Sequence, residues 1–236
     1  MSAEPILPVE AAARCRVLRR LNRFVVEVEA PGGRRLRVHI NNTGRLRDAL
    51  SPGVEGLCRP TRRGKLGLRL FAVRYGPGYA VIDTGLQEEA FAAAMDRDAI
   101  PFLRGCRVAV RRPRLGTSVL DFLLECPHGP LYVETKSAVL LSPDGYAMYP
   151  DCPTERGRRH IRELMALGRR GAVVFIAAVP GARGFKPNRE ADPVLAELLR
   201  EAARRGVVVE AVGMDYELRR GFIRLYAPRL PVLLGG

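Results

Sequence analysis

The chain changes its hydrophobic period near residue 83, and that change constrains the fold more than any other feature of its 236 residues. Before it, short apolar segments alternate with turn-forming residues. Residues 24–29 read FVVEVE and end at the turn PGG; residues 36–40 follow, and further segments lie around Leu57, at 66–73 and at 79–82, separated by SPG, TRRG and YGPG. Alternation at period two between Gly- and Pro-bearing turns is the mark of half-buried strands. Five such strands in about 70 residues predict a small all-β barrel, for which an OB-type fold is the leading candidate.

Beyond residue 83 the period lengthens. Residues 87–97 (QEEAFAAAMDR) predict a helix by their alanines and acidic first turn. Strands are expected at 106–111, 118–125 and 131–137, and Thr154 caps a helix running to about residue 169. Residues 172–179 (AVVFIAAV) are apolar throughout, as in a buried central strand. Asp192 caps and Pro193 opens a helix that Gly206 ends, and a strand follows at 207–212. The order α, β, β, β, α, β, α, β predicts an α/β domain over 84–236, after a barrel domain over 1–83; residues 219–236 are ambiguous.

Within the second domain, SVLDFLLECPHGPLYVETKS holds Asp121, Glu134 and Lys136. The apolar runs on either side of PHGP predict a β-hairpin, and Glu134 and Lys136, two apart, share one face of their strand while Thr135 points the other way. Two carboxylates and an ammonium on neighbouring strands suit one divalent cation and one activated water. Only three of the 39 basic residues are lysines, Lys65, Lys136 and Lys186. Arginine meets the general need for positive charge, so a retained lysine points to a compact charge or a proton-exchanging amine.

A hydrophobic content of 47% is ample for a packed core. No run approaches the roughly 18–20 apolar residues of a membrane span, and the N-terminus lacks a basic region followed by an apolar one, so a cytoplasmic protein is expected, with no membrane partner. The five cysteines are scattered without a C-x-x-C pair, which argues against a disulfide framework and a zinc site. With three histidines in all, any metal is expected on carboxylates and water, which points to Mg²⁺ or Mn²⁺. The net charge of +14 suggests a polyanionic partner, although arginine-rich surfaces also serve ion-pair networks. A homodimer is left open.

The segments RRLNRF at 19–24, HINNTGR at 39–45, SVLDFLL at 118–124, YVETKS at 132–137 and YPDCPTERGRRHI at 149–161 resemble, in order, those of the sugar fermentation stimulation protein A (SfsA) family. The resemblance covers nearly the whole chain. It implies an N-terminal OB fold, a C-terminal domain similar to the restriction-endonuclease-like PD-(D/E)xK fold, DNA as partner and a regulatory role in sugar (maltose) metabolism. Two departures stand out: Val119 replaces the arginine of the family's S-R-I-D-F segment, and Asn41 the proline of H-x-P-N-T-G-R. Residues 107–116 also lack the acidic residue often seen upstream, so one metal ion or none is expected.

On the nuclease-like reading, Asp121 and Glu134 bind Mg²⁺ or Mn²⁺ with the Thr135 carbonyl and water, and Lys136 orients or deprotonates the attacking water. One alternative is a solvated Asp and a surface Glu/Lys pair on a hairpin; another is a DNA-binding regulator that keeps the nuclease-like fold for gripping DNA without cutting it. Asp151, Thr154, Arg156 and His160 are expected to hold a phosphate at a helix N-terminus, against ordinary capping by Thr154. In the barrel, Asn42, Thr43, Gly44 and Arg45 form a tight turn that can track a phosphate backbone, with Arg20 and Arg23 nearby; turn chemistry alone is the alternative. Aromatic residues are 6% with no Trp, so backbone recognition fits better than serial base stacking.

Overall fold

The computed structural model describes residues 4–11, 13–61 and 66–235, so Lys65 lies outside the described residues. The elements run β1 (Glu4–Pro8), β2 (Ala13–Asn22), β3 (Val25–Glu29), β4 (Arg35–His39), β5 (Glu55–Pro60), β6 (Leu68–Tyr75) and β7 (Gly78–Val81), then α1 (Thr84–Asp96). The second half continues with β8 (Arg107–Arg111), β9 (Arg114–Leu115), β10 (Ser118–Val119), β11 (Phe122–Cys126), β12 (Gly129–Ala138), β13 (Leu140–Leu141) and β14 (Tyr146–Tyr149). It ends with α2 (Glu155–Met165), β15 (Gly171–Ala177), β16 (Gly184–Pro187), α3 (Pro193–Arg204), β17 (Val208–Glu217) and β18 (Phe222–Leu230).

Strands β2 to β6 make the barrel. β2 pairs with β3 and β5, β3 with β4, β5 with β6, and a parallel bridge from His39 to Arg69 closes the ring between β4 and β6. The set of five strands differs from expectation by one member. β2 takes the place of β7, which leaves the barrel and pairs with β17 through Tyr79 and Tyr216. β2 is inconspicuous in sequence because arginine occupies its outward positions, while Cys15 and Val17 alone carry its buried face. β1 lies outside the barrel altogether and pairs with β18, which makes Phe222–Leu230 of the ambiguous C-terminal stretch a strand.

The link through β7 makes one continuous sheet, in the order β4-β3-β2-β5-β6-β7-β17-β15-β12-β11-β8. All seven residues of β15 are buried, consistent with its place between two parallel neighbours, β12 and β17. Asp83 joins the two halves. Its buried carboxylate caps α1 through Gly85 N and Leu86 N, and accepts from Asn41 and Arg69 of the barrel at 3.1 Å each. This cap starts α1 three residues earlier than the alanine run suggests, so Glu88 and Glu89 lie in its second turn.

The disulfide expectation is corrected at one place. Cys106 and Cys126 are bonded, because the antiparallel register of β8 and β11, with Arg107 opposite Glu125, sets the two cysteines side by side. Twenty residues of sequence separate them, and only the strand pairing makes them neighbours. Among the described residues, Cys15, Cys58 and Cys152 are free. Nor, among these residues, is any helix long and apolar enough to cross a membrane.

Candidate active site

The hairpin of β11 and β12 builds the site. Phe122 pairs with Val133, so one step further along the register Asp121 faces Glu134. Asp121, Glu134 and Lys136 are 7%, 3% and 9% exposed, which rules out solvated surface groups. A buried charge survives only with partners, and each has them. Asp121 Oδ2 accepts from Thr135 N at 2.8 Å and Thr135 Oγ1 at 2.6 Å. Glu134 Oε1 accepts from Lys136 Nζ and from His160 Nδ1 at 2.6 Å. An ionised carboxylate only accepts, so Nδ1 carries the proton; Nε2 then accepts from Arg156 Nε at 3.4 Å.

The three charges hold one another's state. Burial and then the neighbouring Glu134 push the Asp121 carboxyl above its ordinary range, against the hydrogen bonds from Thr135. Burial also acts against ionised Glu134, but Lys136 and His160 outweigh it and hold its pKa low. In the same way Glu134 overcomes burial at Lys136 and holds it as an ammonium. In this state the lysine is a charge and a hydrogen-bond donor.

Two groups that sequence reasoning missed complete the centre. Glu88 on α1 has its carboxyl raised to about 7 by burial and then by Asp121, with Arg112 opposing and Glu134 adding. Gln87, its neighbour, locks the helix against β12 by donating to Ser137 Oγ at 2.9 Å. Arg112 donates to Glu88 Oε2 at 2.9 Å and Asp121 Oδ1 at 3.3 Å. An acidic helix turn reads as ordinary dipole compensation, and no spacing in the sequence ties Glu88 to Asp121.

Glu134 Oε2 is buried with no hydrogen-bond partner. An orphaned carboxylate oxygen beside a second carboxylate is a hard oxygen donor set of the kind Mg²⁺, Mn²⁺ and Ca²⁺ take. The residues therefore fit such a cation, although among the described residues no three His, Cys, Asp or Glu are already arranged around a metal position.

A cleft of about 590 Å³ opens over these groups, between the barrel and the α/β half. Asp121, Glu134 and Lys136 line its floor, and Arg23, Asn42, Thr43, Gly44, Arg45, Asp151, Thr154 and Arg156 line its walls. Several of these are spoken for. Asn42 Oδ1 accepts from Gly44 N at 2.9 Å, which is Asx-turn chemistry; Thr154 caps α2 through Gly157 N; and Asp151 Oδ2 accepts from Leu46 N at 2.8 Å. A Cβ at Gly44 would meet Asp151 Oδ2 at 2.7 Å, so the carboxylate that accepts from Leu46 N would have to shift.

Two expected phosphate contacts are corrected. Arg20 spends its guanidinium on the carbonyls of Asn22, Arg23, Asn42, Gly44 and Arg45, so it props the turn from behind. His160 is 1% exposed and faces Glu134. Its neighbour Arg156, with Arg23, Arg45 and Arg47, remains at the cleft without a carboxylate partner among the described residues. Arg158 and Arg159 take no part in it: Arg158 pairs with buried Asp192 at 2.9 Å and Arg159 donates to Ser118.

Fold and site together define the class: an OB barrel continuous with a restriction-endonuclease-like α/β domain whose central hairpin carries D…E-x-K. The chain belongs to the sugar fermentation stimulation protein family. Residues 18–82 match the SfsA N-terminal OB domain, and residues 85–220 match the sugar fermentation stimulation protein RE domain. The sugar fermentation stimulation protein homolog of Pyrococcus furiosus is 46% identical over 221 residues, covering 92% of this chain and 93% of its own. That of Archaeoglobus fulgidus is 45% identical over 232 residues, covering 97% and 99%. The solved structure of Pyrococcus furiosus SfsA in complex with Ca²⁺ superposes with a TM-score of 0.91, at 44% identity, over 97% of this chain and 99% of the other.

Proposed function

We propose that this protein grips DNA in the cleft between its two halves and hydrolyses a phosphodiester there with Mg²⁺ or Mn²⁺. The observation that carries this reading is the buried Glu134 with one oxygen unpartnered, facing Asp121 under a rim of arginines that have no carboxylate partner among the described residues. Asp121 and Glu134 would hold the cation, which supplies Lewis-acid polarisation of the phosphate and a more acidic bound water. The protein's own groups do the rest. Arg23, Arg45, Arg47 and Arg156 set the strand against the floor of the cleft; Lys136, held as an ammonium, neutralises charge building on the phosphoryl oxygens. His160 fixes the rotamer of Glu134. A relative solved with Ca²⁺ supports a hard-cation site in this family.

The second reading is a DNA-binding regulator that does not cut. Arg112 favours it, because its guanidinium already neutralises Glu88 and Asp121. Labelled single- and double-stranded DNA and RNA, incubated with the protein in Mg²⁺, Mn²⁺ or EDTA, separate the two. Metal-dependent cleavage that disappears in Asp121→Ala and Lys136→Ala is expected of the nuclease. Salt-sensitive binding with no cleavage, or cleavage equal in the variants, leaves the regulator.

A further inference from the structure

Arg112 is placed by its backbone. It has φ 58°, one of three non-glycine residues among those described with a positive φ, and its N–H donates to the Asp121 carbonyl at 3.0 Å. A residue with a Cβ adopts this conformation at a cost. The result is a guanidinium laid between Glu88 Oε2 and Asp121 Oδ1. The preceding arginine is engaged differently, with the Arg111 guanidinium over the Phe122 ring at 5.4 Å. Lys136 serves Glu134, so Arg112 is the cation that Glu88 and Asp121 share directly.

The two ends of this contact differ in freedom. The Asp121 side chain is 8% exposed, whereas that of Arg112 is 56% exposed and reaches in from solvent. Half-exposed ion pairs are weak enough to open. A divalent cation on Asp121 and the guanidinium compete for the same negative charge. A phosphodiester in the cleft offers the guanidinium another anion with matching bidentate geometry.

We propose that Arg112, anchored on Glu88, is an internal counter-cation that competes with the divalent metal for Asp121, and that nucleic acid couples to metal loading by drawing the guanidinium away. This rests on Asp121 as a cation ligand, as read above. The coupling is reciprocal: whatever factor a phosphodiester adds to cation affinity through Arg112, the cation adds to phosphodiester affinity.

Calorimetric titration of Ca²⁺ into the full chain, alone and with a short DNA duplex, tests it in wild type, Arg112→Gly and Arg112→Asn. Both variants accept a left-handed backbone, so loss of the fold is not expected. Each should bind Ca²⁺ about fivefold more tightly than wild type without DNA, the scale of a half-exposed ion pair. The enhancement by duplex should shrink by the same factor. Unchanged Ca²⁺ affinity in both variants, or an undiminished duplex effect, overturns the proposal while leaving the cation site standing. Ca²⁺ affinity that is absent, or indifferent to Asp121→Asn, removes the site itself and the proposal with it.

Discussion

His160 Nδ1 lies 2.6 Å from Glu134 Oε1, so a residue on α2 sets the direction of a carboxylate on β12. The contact is buried and passes outward through Arg156 to the cleft wall. His160 thus acts through Glu134 and touches no ligand itself. His160→Ala should weaken Ca²⁺ or Mn²⁺ binding by about 10–100-fold, as loss of an outer partner of a metal ligand does. DNA affinity in EDTA should stay within about twofold of wild type. Calorimetry and fluorescence anisotropy check the two arms; equal losses in both would return His160 to the phosphate site.

Glu88 gives the site a pH signature. Its folded pKa, about 7, lies above the ordinary carboxylate value, so ionisation favours the unfolded chain. The penalty is absent below the unfolded value near 4.5 and grows as pH rises to about 7. In EDTA, Glu88→Gln should match wild type at pH 4 and be more stable by about 2 kcal/mol at pH 8. Urea unfolding at the two pH values measures this. A variant less stable at pH 8 would mean that the Arg112 contact dominates.

The arginines divide into grippers and props. Arg23→Ala and Arg45→Ala should each lower the slope of log affinity against log salt by about one, with little change in stability. Arg20→Ala should lower stability by about 1–3 kcal/mol, because it strands several carbonyls of the 42–45 turn, and should weaken DNA binding only through that turn. Binding across a salt series, with thermal unfolding of each variant, tells the classes apart. A stable Arg20→Ala protein with a reduced salt slope would reverse the assignment.

The Cys106–Cys126 bond closes the loop that holds Arg112 and Asp121. Cys106→Ser with Cys126→Ser should cost about 3 kcal/mol, the loop-closure value for this separation. Urea midpoints with and without dithiothreitol check it. A midpoint unmoved by both would show that strand pairing alone suffices there.

Much of this protein follows from periodicity and short-range rules. The alternating runs before residue 83 and the caps Thr154 and Asp192 depend on neighbours within a few positions, and the β11–β12 hairpin depends on the PHGP turn between them. Asp121, Glu134 and Lys136 were legible for that reason, since one hairpin contains all three. What only the tertiary structure decided involves partners far apart along the chain: β2 as the fifth barrel strand, Glu88 and Arg112 at the centre, and the Cys106–Cys126 bond. The same holds for Arg20 as a prop and His160 as a guide. An arginine that holds a turn and one that waits for a phosphate are the same letter, and the difference lies in which carbonyls and carboxylates the fold brings to the guanidinium.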